Sequence, residues 1–300
     1  MSKNKLITIL GPTAVGKTKF AAELASKYDG EIISADSRQV YIGMDIGTGK
    51  DYYDYTIANK KIPYHLIDIV KPECEFNLYL FTQLFTKAFI EITKRKKLPF
   101  LVGGTGLYLS SIIQKYNLNF VDFYSQRAKQ LFNFSIEELK EILLNIKSDL
   151  HNTTDLIEKE RIVKAILIAE DEKGNKESEL KIDSLIIGLY DEREKIKDNI
   201  RKRLKKRLQN GMIEETEKLL VEGISHEKLR FFGLEYKFMS MYIRGELNYN
   251  DMYQKLASEI IQFSKRQMTW FRKMEREGIK IHWLKNNQLK EAIELVEEFL

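Results

Sequence analysis

The sequence predicts an α/β fold, in which a parallel sheet core is flanked by helices and carries an inserted all-helical domain. Three short apolar runs, at 6–10, 31–34 and 99–102, are bounded by Gly, Asp or Pro, as buried parallel strands are. Amphipathic helical patterns at 17–27 and 78–94 alternate with these runs. Strands and helices in alternation build a parallel sheet with right-handed crossovers.

The inserted domain is predicted where no further strand pattern follows the third run. Residues 118–181 are charged and helical in pattern, and Ser135 and Glu138 have the spacing of a capping box at a helix start. We therefore assign 118–181 to an inserted helical domain. The predicted core comprises 1–117 and 182–300.

Two helices after the insertion concentrate positive charge. A strand is predicted at 184–189, and a helix at 191–210 has an apolar residue every four positions. The other faces of that helix carry a run of Lys and Arg between 193 and 207, and a second basic helix is predicted at 264–276. Such faces suit a polyanion or simple solvation, and both interpretations stay open at this point.

Composition is that of a globular protein of the reducing cytosol. The 300 residues, 43% of them hydrophobic, can bury a full core, and the formal net charge is only +5. Cys74 is the single cysteine, which excludes an internal disulfide and a Cys-based zinc site. No run approaches about 18 apolar residues and the N-terminus lacks a signal-peptide pattern, so we expect a cytoplasmic protein without a membrane partner.

A phosphate-binding loop is predicted at 11–18, because GPTAVGKT matches G-x-x-x-x-G-K-[ST] between a predicted strand and a predicted helix. Backbone N–H groups would face the phosphates, Lys17 would add positive charge, and the Thr18 hydroxyl can ligate magnesium. This context disfavours a bare glycine turn and makes the core P-loop NTPase-like. The predicted diphosphate-binding residues are Gly11, Pro12, Thr13, Ala14, Val15, Gly16, Lys17 and Thr18.

Three further segments are expected at the mouth of the same site. Asp36 follows the second strand, where ligands bind in open parallel sheets, and its carboxylate is either a base or a cap for the next segment. Thr105 offers a hydroxyl in the glycine-rich segment after the third strand. Arg230 suits a diphosphate, and the adjacent Phe231 and Phe232 suit either a nucleotide base or the protein core.

Five ordered segments, between Leu6 and about Trp283, resemble the tRNA dimethylallyltransferase family. They are GPTAVGKT, ISADSRQVYIGMDIGTGK, LVGGTGLYL, LRFFGLEYK and KRQMTWFR. Only the first is shared widely among unrelated enzymes, so the other four carry the resemblance. It implies transfer of a dimethylallyl group from dimethylallyl diphosphate to N6 of the adenosine immediately 3′ of the tRNA anticodon, with release of diphosphate.

The resemblance also implies roles for single residues. Asp36 would be the general base, residues 13–18 would hold the donor with Mg²⁺, and Thr18 would be the metal ligand. The catalytic residues that it implies are Asp36, Thr105 and Arg230. The tRNA-binding residues that it implies are Asp36, Ser37, Arg38, Gln39, Thr105, Arg127, Glu160, Arg161, Ile162, Val163, Lys164, Lys265 and Arg266. We expect the anticodon loop as partner, no obligate protein partner, and a monomer.

The chain departs from the family pattern at two places. Ile260 and Ile261 stand where many members have Thr-Arg, so a cation is absent there, and GLEYK replaces a common Gly-Tyr-Arg version. His65 has no Cys partner pattern, and we expect it to have a structural role.

Two other functions are compatible with parts of the sequence. A P-loop kinase would use Asp36 as the base for a hydroxyl acceptor, and Asp68 would imitate a Walker-B carboxylate. An RNA-binding protein with a vestigial phosphate loop would use the basic helices alone. Intact Lys17, Thr18 and Asp36 argue against the second, and the DSRQ and GGTGLY segments have no assigned role in the first.

Overall fold

The computed structural model describes residues 4–114, 125–146, 159–171 and 181–300, without the side chains of Glu160, Arg161, Ile168 and Asp171. The chain divides into two compact units. The core unit comprises Met1–Lys115 and Lys181–Leu300, and the helical unit comprises Tyr116–Leu180.

The strands of the described residues are β1 (Asn4–Leu10), β2 (Gly30–Ala35), β3 (Thr56–Ile57), β4 (Lys60–Lys61), β5 (Tyr64–His65), β6 (Leu98–Gly103), β7 (Ile182–Tyr190) and β8 (His282–Lys285). Six of them form the sheet of the core unit, all parallel, in the order β5-β2-β6-β1-β7-β8. β3 and β4 form a separate antiparallel pair. In the centre of the sheet, Ile7 of β1 lies opposite Phe100 of β6 and Leu185 of β7. The four strands predicted from apolar runs are confirmed.

Helices cover the sheet and form the helical unit. In the core unit they are α1 (Lys17–Lys27), α2 (Leu78–Lys94), α3 (Gly106–Ile113), α7 (Arg193–Gln209), α8 (Met212–Val221), α9 (His226–Phe231), α10 (Leu234–Ile243), α11 (Tyr249–Arg276) and α12 (Leu289–Phe299). In the helical unit they are α4 (Gln126–Leu131), α5 (Ile136–Ile146) and α6 (Lys159–Asp171). The helices predicted at 17–27 and 78–94 have the bounds of α1 and α2, and the basic helix predicted at 264–276 is the second half of α11.

Apolar stripes hold these helices in place. Phe20 and Leu24 of α1 are buried against the sheet, and Ile200 and Leu204 of α7 belong to the same core. Full burial of one such side chain stabilises the fold by roughly 1.5–3 kcal/mol. The face of α7 with an apolar residue every four positions is therefore a packing face, as predicted.

The helical unit has a small core of its own. Leu139 and Leu143 of α5 pack there with Ile166 of α6. The capping box predicted at the start of α5 is confirmed: Glu138 N donates to Ser135 Oγ at 3.2 Å, and Ser135 N donates to Glu138 Oε2 at 2.7 Å. Within the residues described for either unit, no helix is both long and apolar enough to cross a membrane.

His65 has the structural role expected from the sequence. Its Nε2 lies 2.7 Å from Oε2 of the buried Glu31, and Arg95 Nη2 lies 2.7 Å from the same oxygen. Burial raises the pKa of Glu31, but the hydrogen bonds from Arg95 and His65 outweigh burial and lower it below its ordinary value. This carboxylate thus joins β2, β5 and the end of α2.

The long segment after β2 is anchored by a buried lysine. The Lys50 side chain is fully buried, and its Nζ donates to the Tyr41 carbonyl at 2.6 Å and to Asp45 Oδ1 at 2.8 Å. Lys50 also pairs with Asp68, which accepts a second hydrogen bond from the Tyr52 hydroxyl. Asp68 is therefore part of an internal ion-pair cluster that fixes this segment.

We expect Lys50→Met to lower the free energy of unfolding by about 3 kcal/mol, because the change leaves partly buried carboxylates without their cation. Urea unfolding measures this quantity. Lys27→Met is the matched control, since Lys27 pairs with Glu297 on the surface, and surface changes of this kind stay within about 0.5 kcal/mol. Equal stability of the two variants would contradict the anchoring role.

A second anchor comes from α8. The Glu215 carboxylate accepts hydrogen bonds from the backbone N–H groups of Asp45, Ile46 and Gly47 at 2.8–2.9 Å. Its Oε1 also accepts from the Tyr236 hydroxyl at 2.7 Å. The segment that leads from β2 towards the 3₁₀ helix at 52–55 is thus held from two sides, which gives its inner residues fixed positions.

Candidate functional site

A pocket of about 860 Å³ opens in the core unit at the carboxyl ends of β1, β2 and β6. Its walls also include parts of α7, the segment around Arg230, and α11. The pocket brings together most of the site residues predicted from the sequence. Those that line it are Thr13, Ala14, Gly16, Lys17, Thr18, Asp36, Ser37, Arg38, Gln39, Thr105, Arg230 and Arg266.

The loop between β1 and α1 has the geometry of an anion site. Gly11 has a φ of 151°, and a Cβ there would lie 2.5 Å from the Leu189 carbonyl oxygen, so only glycine fits. Gly16 caps α1 without a side chain, which leaves the first N–H groups of the helix open to an anion. Pro12 and Val15 are buried beneath the loop and support it.

Lys17 points along this loop. Its Nζ donates to the Pro12 carbonyl at 2.7 Å. Burial, and then the nearby positive charge of Arg203, lower the pKa of Lys17 to about 7, against a smaller opposite effect of Asp36. A bound anion would favour the charged form of Lys17.

Asp36 lies at a turn and in the pocket wall, so its position is compatible with both of the roles that the sequence left open. Its Oδ1 accepts hydrogen bonds from Arg38 N at 2.8 Å and Gln39 N at 3.3 Å, so it caps the next turn. The half-buried carboxylate also lines the pocket, where it can accept a proton. Ser37 N donates to Thr105 Oγ1 at 3.4 Å, which joins the ends of β2 and β6.

Two arginines of α7 belong to the pocket, and sequence reasoning had assigned them only to a basic face. Arg203 Nη2 lies 2.7 Å from Asp51 Oδ2, and its Nη1 lies 3.4 Å from Thr13 Oγ1. Arg207 is only 9% exposed and pairs with Glu235 at 3.4 Å. Burial, and then Arg203, lower the pKa of Arg207 to about 10. Their four-residue spacing beside the apolar stripe was the available sign that they face inward.

The aromatic pair beside Arg230 has two different environments. Phe232 is buried and packs edge-on against Tyr41, with ring centroids 4.8 Å apart. Phe231 is 48% exposed, and the Arg38 guanidinium lies 4.8 Å from its ring centroid. Arg230 itself is exposed at the pocket wall. Phe232 is thus a core residue with one edge at the pocket wall, whereas Phe231 is exposed next to the pocket and packs against Arg38.

α11 contributes Gln267 to the pocket wall, a residue of the KRQMTWFR segment to which the sequence assigned no role. Gln267 is 7% exposed; its Oε1 accepts from Thr13 N at 2.8 Å, and its Nε2 donates to the Gly104 carbonyl at 2.9 Å. One turn further, Trp270 Nε1 donates to Ser110 Oγ at 2.8 Å. These bonds hold α11 against the loops that follow β1 and β6.

Comparison with known proteins identifies the family. The model of the IPP transferase family matches residues 39–274, and that of isopentenyl transferases matches residues 4–60. A tRNA dimethylallyltransferase 1 of Geotalea uraniireducens is 51% identical over 294 residues, which cover 97% of this chain and 96% of the relative. The chain belongs to the tRNA dimethylallyltransferase family.

Other members of the tRNA dimethylallyltransferase family are similar to this chain over nearly its whole length. A tRNA dimethylallyltransferase 1 of Parabacteroides distasonis is 47% identical over 95% of this chain and 93% of its own. The crystal structure of a tRNA isopentenylpyrophosphate transferase from Bacillus halodurans is 31% identical, with a TM-score of 0.71 over 99% of this chain and 96% of that chain. The chain is thus a prenyltransferase with a P-loop NTPase-like core.

In the helical unit, the predicted tRNA-binding positions of α6 differ in exposure. Ile162 and Val163 are fully buried in the core of that unit, so their side chains are not available to tRNA. Lys164 is exposed, and Arg127 Nε and Nη2 both donate to the carboxylate of Glu170. The side chains of Glu160 and Arg161 lie outside the described residues. The spacing of apolar residues along α6 was the available sign that Ile162 and Val163 are buried and Lys164 is exposed.

Two further residues bear on the family assignment. Ile260, which replaces the common Thr, is 8% exposed at the pocket wall, so this chain adds apolar surface there. Asp68, the carboxylate that a kinase would need, is occupied by Lys50 and Tyr52. It is not among the described residues that line the pocket. The Walker-B imitation suggested by its position is therefore wrong.

Proposed function

We propose that this protein transfers a dimethylallyl group from dimethylallyl diphosphate to N6 of the adenosine immediately 3′ of the anticodon in tRNA, forming N6-isopentenyladenosine and releasing diphosphate. One observation carries the proposal: the phosphate loop with Lys17 and the carboxylate of Asp36 line the same pocket. It is supported by the names of relatives that share about half of their residues with this chain.

The donor has a charged and an apolar end, and the pocket has walls for both. The loop at 11–18 offers N–H groups and Lys17 to the diphosphate. Leu107 of α3 and Phe263 of α11 line the same pocket with 41% and 39% of their surface exposed, beside the buried Ile260. A five-carbon chain on this apolar surface would be shielded from water, which protects an electron-poor carbon from hydrolysis.

Asp36 would act on the acceptor. The exocyclic amine of adenine is a poor nucleophile because its lone pair is delocalised into the ring. In the proposed step, N6 forms a bond to C1 of the donor while the C1–O bond to diphosphate breaks, and Asp36 accepts the N6 proton. Lys17 and the loop stabilise the charge that the leaving diphosphate gains, and Arg230 and Arg203 add cations at the pocket wall.

Prenyltransferases generally use a divalent metal, and we propose Mg²⁺ here. The described residues hold no cluster of three or more His, Cys, Asp or Glu that could bind a metal by itself. They do offer the half-buried Thr18 hydroxyl at the start of α1, beside the diphosphate site. In such sites most of the ligands of Mg²⁺ are phosphate oxygens and water molecules, so a single hydroxyl from the protein is sufficient. When bound, the ion would neutralise charge on the leaving diphosphate.

The tRNA would reach the pocket along residues at its rim. Removing a base from its stack costs a few kcal/mol, which contacts to the tRNA backbone have to offset. Arg38, Gln39, Thr105 and Arg266 line the pocket, and Lys265 is exposed on α11. We propose these residues, with Arg127 and Lys164 of the helical unit, as the tRNA contacts of a monomer. Sedimentation of the pure chain with and without tRNA tests the monomeric state.

The lowered pKa of Lys17 predicts how donor binding depends on pH. The ammonium form is half populated at about pH 7 and nearly complete one pH unit below it. Binding of diphosphate raises the pKa of Lys17, so the protein takes up a proton on binding above about pH 7. At constant Mg²⁺, we expect the affinity for inorganic diphosphate to fall roughly tenfold for each pH unit from 7.5 to 9. Calorimetry in buffers of different ionisation enthalpy measures the proton uptake. A constant affinity without proton uptake over this range would contradict the role of Lys17.

A donor competition tests the proposed function. The protein, Mg²⁺ and unmodified tRNA are incubated with labelled dimethylallyl diphosphate or with labelled ATP, and the tRNA is digested to nucleosides. We expect label on an N6-prenylated adenosine from the first donor and none from the second. Phosphoryl transfer from ATP to a small acceptor, without prenyl transfer, would instead establish the kinase.

A further inference from the structure

The side chain of Gln267 connects the two loops that carry the donor site and the acceptor site. Its Oε1 accepts from the backbone N–H of Thr13 at 2.8 Å, and its Nε2 donates to the backbone carbonyl of Gly104 at 2.9 Å. Thr13 belongs to the loop after β1, and Gly104 to the loop after β6. A single buried amide thus joins segments more than 90 positions apart in the chain.

The amide has one orientation that satisfies both bonds, because Thr13 offers only a donor and Gly104 only an acceptor at these atoms. Close packing keeps it there. A Cβ on Gly104 would collide with Nε2 of Gln267, so the loop after β6 presses against the amide. Gln267 is 7% exposed, which means that removal of either bond would leave a buried polar group without its partner.

Both ends of this connection lead to reacting groups. On one side, Thr13 lies in the loop that leads to Lys17 and Thr18. On the other side, Gly104 is followed by Thr105, whose hydroxyl accepts from the N–H of Ser37, the neighbour of Asp36. A continuous path of hydrogen bonds and peptide units therefore runs from the diphosphate loop through Gln267 to the proposed base.

We propose that Gln267 is a positioning residue that sets the separation between the donor carbon and the acceptor amine. The proposal rests on the function proposed above. Transfer requires the reacting atoms to approach to about 3–3.5 Å in line, and a misplacement of 1 Å can lower the rate about 100-fold. The amide fixes this separation through the protein and leaves the affinity for each substrate to other residues.

Gln267→Met tests the proposal, because Met has similar length and flexibility but makes neither hydrogen bond. Single-turnover transfer is measured at saturating donor and tRNA, and the two dissociation constants are measured separately, with a non-reactive thio analogue of dimethylallyl diphosphate and with unmodified tRNA. We expect the single-turnover rate to fall about 100-fold, and both dissociation constants to stay within about threefold. Gln254→Met, an exposed change on the same helix, is the matched control and should match the wild type.

The proposal would be overturned if the single-turnover rate of Gln267→Met equals that of the wild type. It would also be overturned if weaker binding of donor or tRNA accounts for the whole loss of rate. Hydrogen exchange of the segment at 11–16 supplies a second readout, since the Thr13 N–H should lose protection in Gln267→Met and keep it in Gln254→Met. If Gln267→Met does not fold, Gln267→Glu replaces it. That variant keeps the acceptor for Thr13 but cannot donate to Gly104 when ionised, so the saturated rate should still fall. Failure of the proposed function is distinct, because the wild type itself would then transfer no prenyl group.

Discussion

Asp36→Asn is expected to lower the rate of prenyl transfer by roughly 100- to 10,000-fold, the usual contribution of a general base. The amide oxygen of Asn can still accept the hydrogen bonds that Oδ1 now accepts from Arg38 N and Gln39 N. The cap of the following turn is therefore kept, and only the ability to take a proton is lost. Asp36→Ala removes both, and we expect it to abolish transfer while tRNA affinity stays within a few-fold.

The pair of variants separates the two interpretations of Asp36. Single-turnover transfer at saturating donor is measured for both, with tRNA binding measured independently. If Asp36 is only a cap, Asp36→Asn retains nearly full activity and Asp36→Ala loses activity through disorder of the turn. Full activity of Asp36→Asn would thus remove Asp36 as the base and leave it with a structural role.

Lys17→Met is expected to weaken donor binding by roughly 10- to 100-fold, because a hydrogen bond to a charged group contributes about 1.5–3 kcal/mol. The change removes the ammonium that now lies on the Pro12 carbonyl at the diphosphate loop. The dependence of the rate on donor concentration reports this effect, and the affinity for tRNA should not change. Lys87→Met, an exposed change on α2, is the control and should behave as the wild type. An unaltered donor dependence in Lys17→Met would contradict the assignment of the loop.

The fold could be predicted from the sequence wherever the information was local. The loop at 11–18 could be predicted because all of its defining residues lie within eight consecutive positions, and α1 begins at Lys17, near the end of the motif. Short, largely apolar runs identified β1, β2, β6 and β7, since their burial on both faces leaves no polar alternation. The two-residue β5 and the four-residue β8 have too few positions for any pattern.

The rest of the site depends on contacts between distant segments. Arg203 meets Thr13 and Asp51 only after α7 packs on the sheet, and Gln267 meets Thr13 and Gly104 only after α11 crosses the pocket. In the sequence, Arg203 is one cation in a run of many, and only its position beside the apolar stripe of α7 indicates that it faces inward. Ile162 shows the converse case, because the resemblance suggested a contact with tRNA where the packing of α6 buries the side chain.

The position of the modified base tests the central claim most directly. Two synthetic anticodon stem-loops are incubated with the protein, Mg²⁺ and dimethylallyl diphosphate, one with adenosine and one with inosine immediately 3′ of the anticodon, and their nuclease fragments are weighed by mass spectrometry. The account predicts a gain of one C5H8 unit on the fragment that contains this adenosine and no gain in the inosine stem-loop, which lacks the N6 amine. Equal prenylation of both stem-loops, or prenylation at another nucleotide, would contradict it.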